Sequence, residues 1–101
     1  MDAREVVETE PARTLARALA ELEDADEATA LLLDLCTPRE IEDLSQRLEV
    51  ARLLDAGEPY LSVQQRTGAS STTVSRVSKC LNGPVGGYRG VLDRMAANRR
   101  A

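Results

Sequence analysis

The chain has 101 residues, with 13 Lys+Arg against 17 Asp+Glu, no histidine, no Phe and no Trp. The absent histidine removes the commonest general base and metal ligand. The longest apolar run, residues 30–33, is far too short for a bilayer, and no charged-then-apolar leader opens the chain. The net charge of −4 hides an asymmetry: residues 1–56 hold 6 Lys+Arg and 15 Asp+Glu, whereas residues 57–101 hold 7 and 2.

A chain of this length forms one domain with an aliphatic core. Residues 1–10 are polar and read as a loose N-terminus, with a single helical domain over 11–101. Pro11 suits the first turn of a helix over 11–22, with Leu15, Ala18, Leu19 and Leu22 on one face. An acidic turn follows, in which Asp26 is a candidate cap for a helix over 27–36 that turns Leu31, Leu32 and Leu35 inward. Thr37-Pro38-Arg39-Glu40 combines a capping threonine, a first-turn proline and a capping-box glutamate, and starts a long helix over 38–56. Ile41, Leu44, Leu48 and Ala51 form its stripe, widened by Val50, Leu53 and Leu54, and Gly57 ends it.

Residues 60–82 have the layout of a helix-turn-helix. A short helix over 60–67 ends at Thr67-Gly68, where glycine accepts the left-handed backbone of a tight turn. Ser70 can cap a second helix over 71–81, whose buried stripe is Val74, Val77 and Leu81 at i, i+3, i+7. Asn82-Gly83-Pro84 stops it, and a last helix over 88–97 carries Val91, Leu92 and Met95. The reading is all-α, with about six helices and no strand.

The second helix of such a motif enters the major groove of DNA. Ser70, Ser71, Thr72, Thr73 and Ser75 offer short donors and acceptors for base edges, and Arg66, Arg76 and Lys79 offer cations for phosphates. The expected partner is double-stranded DNA. The acidic pI does not oppose this, because screening at 0.1 M salt cuts off charge beyond ~10 Å and leaves the local positive field in command. Arg76 could instead pair with an acid of the long helix such as Glu49. Cys36 and Cys80 lack metal-type spacing and read as buried, reduced thiols of a cytoplasmic protein. No metal, cofactor, membrane or catalytic role is expected. A protein-interaction module using the acidic half is the alternative from another class.

The order of these pieces resembles the Trp-repressor superfamily, in its YerC/YecD-type branch of small bacterial proteins. The resemblance is carried by Asp34-Leu35-Cys36-Thr37, Gln46-Arg47 with Val50-Ala51, Thr67-Gly68-Ala69-Ser70, Val74-Ser75-Arg76-Val77, Cys80-Leu81, and Gly87-Tyr88 with Val91-Leu92. It implies an interlocked homodimer, sequence-specific DNA binding at a palindromic operator, and transcriptional regulation, most simply repression. In that family two arginines sandwich the indole of tryptophan, and the resemblance places them at Arg47 and Arg76. The glycine it expects after the second arginine is Val77 here, and the serine it expects to hold the ligand's amino group is Cys80. An added branched side chain overpacks such a pocket, and a thiol accepts hydrogen bonds weakly. Val77 and Cys80 are therefore expected to fill the tryptophan pocket, giving a regulator that works without tryptophan. A sensor that binds a small anionic effector through Arg47 and Arg76 is the other alternative.

Overall fold

The structure is a computed structural model that describes residues 1–100, with side chains through Arg99; the last residue of the expected 11–101 domain lies outside it. Every element among the described residues is helical: α1 (Ala3–Val7), α2 (Glu10–Ala20), α3 (Ala25–Leu35), α4 (Pro38–Asp55), α5 (Tyr60–Thr67), α6 (Ser71–Leu81) and α7 (Gly87–Arg100). The all-α reading stands, with one helix more than the six expected. Residues 1–10, expected as a loose segment, contain α1. Its cause is local: the Asp2 side chain accepts the Glu5 N–H at 2.9 Å and caps a single turn. The cap of α3 is Asp24 rather than Asp26, accepting the Glu27 N–H at 2.8 Å.

The contacts divide the chain into two compact units, Met1–Pro38 and Arg39–Ala101. In the first, α1 packs on α2, and no residue is buried. Leu19 is 51% exposed and Leu33 69%, so the apolar faces of α2 and α3 remain open in the single chain.

The second unit holds the core. Val50, Ala51 and Leu53 of α4 meet Val63 of α5, Ala69 of the turn, Val74, Val77 and Leu81 of α6, and Leu92 of α7. Leu54 and Tyr88 pack against that cluster. The stripe expected along all of α4 is buried only in its second half, since Leu44 and Leu48 are exposed. Periodicity finds an apolar face but does not tell what covers it.

Two glycines set the joints. At the end of α4 the Glu58 N–H reaches the Leu53 carbonyl and the Gly57 N–H the Leu54 carbonyl, the paired bonds of a Schellman motif, with Gly57 at φ 88°. At the end of α5, Gly68 has φ 74° and donates to the Gln64 carbonyl at 2.9 Å. Nothing lies within 4 Å of a Cβ built on Gly68. Gly68→Ala should therefore cost only the left-handed backbone, about 1 kcal/mol after its smaller unfolded-state entropy is allowed for. Gly90 is exposed inside α7, where alanine has the better helix propensity, so Gly90→Ala should stabilise by about 0.5–1 kcal/mol. Chemical denaturation of the two variants checks both signs.

Candidate nucleic-acid interface

The geometry of α6 follows from its rotation about its own axis. Ser70 caps it, its Oγ accepting the Thr73 N–H at 3.1 Å. Val74 is fully buried, and Val77 and Leu81 nearly so. With the apolar stripe turned inward, 3.6 residues per turn places Ser71, Thr72, Ser75, Arg76 and Lys79 within an outward arc of about 140°. Those five side chains line one shallow groove. All are exposed, and neither Arg76 nor Lys79 has an ion-pair partner among the described residues.

The remaining candidates fall elsewhere. Thr73 is half-buried on the flank of α6 nearer α4, where its Oγ1 accepts from the Ser70 hydroxyl at 3.1 Å. Ser70 itself lines a polar recess with Gly68, Thr73, Gln46 and Arg47. Arg66 is on α5 and engaged: its guanidinium donates to Glu58 at 2.9 Å, and Glu58 also accepts the Ser62 hydroxyl at 3.0 Å. This pairing, eight residues apart, has no short-range sequence signal. On the opposite flank of α6 the Tyr60 hydroxyl donates to Ser78 Oγ and joins the two helices of the motif.

The structure brings Arg47, Arg76, Val77 and Cys80 together. They line a cavity of about 130 Å³ with Thr73 and Tyr88. Arg76 stands at the edge of the outward arc and so borders both the cavity and the groove. Val77 is 4% exposed and spends its volume in the core, while Cys80 is exposed at the rim. The two side chains therefore do not fill the pocket as expected: Val77 is taken up by the core, Cys80 stands at the edge, and the cavity stays open to the surface.

Arg76 does not pair with Glu49, the acid that α4 offered. Glu49 accepts instead from Arg52 Nη2 at 3.0 Å, and that hydrogen bond holds its carboxyl below the usual carboxylate range and raises Arg52 further. Arg89 is likewise committed, bonded to Asp55 with Asp93 at 3.9 Å, which raises its pKa and ties α7 to the end of α4. Among the described residues, Arg76 and Lys79 beside the groove and Arg47 beside the cavity are left without an ion pair.

No group of three or more His, Cys, Asp or Glu side chains is placed to hold a metal among the described residues. No described helix is long and apolar enough to cross a membrane.

The profile of the Trp repressor protein family matches residues 11–96. The chain is 44% identical over 81 residues to the uncharacterized protein YerC of Bacillus subtilis (strain 168), a match covering 80% of this chain and 78% of that protein. Among solved structures it is similar to a TrpR-like protein from Eubacterium eligens ATCC 27750, with a TM-score of 0.83 and 40% identity over 91% of this chain and 95% of that one. It is also similar to a Staphylococcus aureus chain, with a TM-score of 0.84 and 36% identity over 95% and 96%.

Neither thiol is buried as expected, and the two differ in access: Cys80 is exposed on the outer side of the α6 stripe and Cys36, at the end of α3, is half-buried. A thiol reagent should modify Cys80 first, and Cys80→Ser should remove the fast phase of labelling. Equal rates at both cysteines would contradict the placement of the cavity rim.

Proposed function

Because this chain belongs to the Trp repressor family, we propose that it is a sequence-specific, DNA-binding transcriptional regulator, acting as a repressor in the cytoplasm. The observation that carries this reading is the outward arc of α6: three hydroxyls and two cations without an ion pair among the described residues share one exposed groove. Hydroxyls at Ser71, Thr72 and Ser75 suit base edges in the major groove, and Arg76 and Lys79 suit phosphates. Ser70 and Thr73 shape the start of the helix, so their contribution is to hold its N-terminus toward the duplex. Arg66 contributes only when a phosphate displaces Glu58. The reading requires no catalytic group.

The working form is a homodimer. Helices of 5, 11 and 11 residues that bury nothing of their own are marginal in water, so the Met1–Pro38 unit needs a covering surface. Leu15, Leu19, Leu33 and Leu35 of that unit are exposed apolar side chains that a second copy would cover, as are Leu44 and Leu48 of α4. Sedimentation should return twice the 11.0 kDa chain mass. A two-fold pair of α6 helices would sit about 34–36 Å apart, one duplex turn, and would read a palindrome.

Tryptophan is not needed in this reading. Val77 stands where the resemblance expects the glycine that leaves room for an indole, and Cys80 where it expects the serine that holds the amino group. The cavity they line favours a second reading, in which Arg47 and Arg76, both without an ion pair among the described residues, hold a small anionic effector. Such a ligand would raise the melting temperature of the free protein.

Selecting bound duplexes from a random pool, with no tryptophan present, tests the main reading. The expected outcome is a symmetric motif with half-sites one turn apart; an asymmetric motif or no enrichment would refute it. On the selected duplex, Thr72→Ala should lose about 0.5–1.5 kcal/mol of discrimination at particular bases and leave random duplexes untouched. Lys79→Ala should weaken selected and random duplexes alike and reduce the salt slope by about one. Glu58→Gln, by releasing Arg66, should increase that slope by about one.

A further inference from the structure

Gln46 stands on α4 immediately before Arg47, with its side chain half-buried. Its Nε2 donates to the backbone carbonyl of Thr67 at 3.3 Å, across 21 residues of sequence. Thr67 is the last residue of α5, and the carbonyls of a helix's last turn have no partner within the helix. The neighbouring groups are satisfied locally. The Gly68 N–H takes the Gln64 carbonyl, and the Thr67 hydroxyl donates to the Val63 carbonyl while accepting the Ala69 N–H. The Thr67 carbonyl is met from α4.

The consequence is mechanical. The core beneath this joint is Val50, Ala51 and Leu53 against Val63, Ala69, Val74 and Val77. Apolar packing of this kind is non-directional and leaves the tilt of one helix on another loosely determined. A hydrogen bond from a half-buried amide to the hinge between α5 and α6 supplies direction. Gln46 also lines the recess with Gly68, Ser70 and Thr73, at the point where α6 begins.

We propose that Gln46 is a positioning residue that fixes the tilt of α5, the turn and α6 on α4. It does so by an internal hydrogen bond that involves no ligand. The proposal rests on the DNA-binding reading and adds to it the reason the α6 groove is held ready without a ligand.

The test uses two variants of the full chain. Gln46→Met keeps the length of the side chain and removes the donor; Gln46→Lys restores a donor able to reach a carbonyl. In Gln46→Met, amide exchange over residues 67–73 should accelerate about tenfold with helical content unchanged. Preference for the duplex selected by the wild type, over random duplexes, should fall by a similar factor at an unchanged salt slope. Gln46→Lys should return both exchange and preference toward the wild type after its added charge is removed by comparison on random duplexes. A Gln46→Met protein that exchanges and discriminates like the wild type would overturn the proposal alone. Wild-type protein that prefers no duplex would overturn the DNA-binding reading, and the proposal with it.

Discussion

Burial of Val74, Val77 and Leu81 fixes the rotation of α6 about its axis, and the rest of the site depends on that rotation. Once the stripe is inside, the residues on the opposite arc have no choice but to face out, and the flanks are assigned as well. One flank brings Thr73 and Cys80 toward Arg47; the other brings Ser78 to Tyr60. Arg76, on the boundary between arc and flank, belongs to both groove and cavity. A rotation of one residue, about 100°, would drive a hydroxyl into the core and put a valine outside, and either change costs more than the helix gains from its cap.

Charge is distributed to the same end. The C-terminal part of the chain is basic, but three of its arginine-bearing contacts are already spoken for: Arg66 by Glu58, and Arg89 by Asp55 and Asp93. Arg76 and Lys79 remain open beside the hydroxyl groove. Arg76 and Lys79 therefore place positive charge directly beside the α6 hydroxyls. Such an arrangement suits a protein that must tell one duplex from another, because indiscriminate phosphate contacts raise affinity for every sequence equally.

Much of this was legible in the residues. The Gly68 turn, the Ser70 cap and the inward stripe of α6 are local features, each set by neighbours within seven positions, and each appears in the structure. The meeting of Arg47 with Arg76, Val77 and Cys80 joins residues some thirty positions apart, and only the family resemblance pointed to it. Three features were not legible. The Gln46 bond ends on a backbone carbonyl, which every residue carries and no sequence marks. The exposure of Leu44 and Leu48 could not be foreseen because an apolar stripe looks the same whether its own chain or another covers it. The single-turn α1 depends on one aspartate cap, too short a signal to separate from a polar tail.

The central claim is that α6 is a DNA-reading head held ready without tryptophan. Its most direct test is duplex affinity measured across a salt series, with and without tryptophan. The account predicts a steep loss of affinity from 50 to 200 mM salt, set by the phosphates contacted, and curves that superimpose whether or not tryptophan is present. Affinity that appears only on adding tryptophan, or that does not respond to salt, would contradict it.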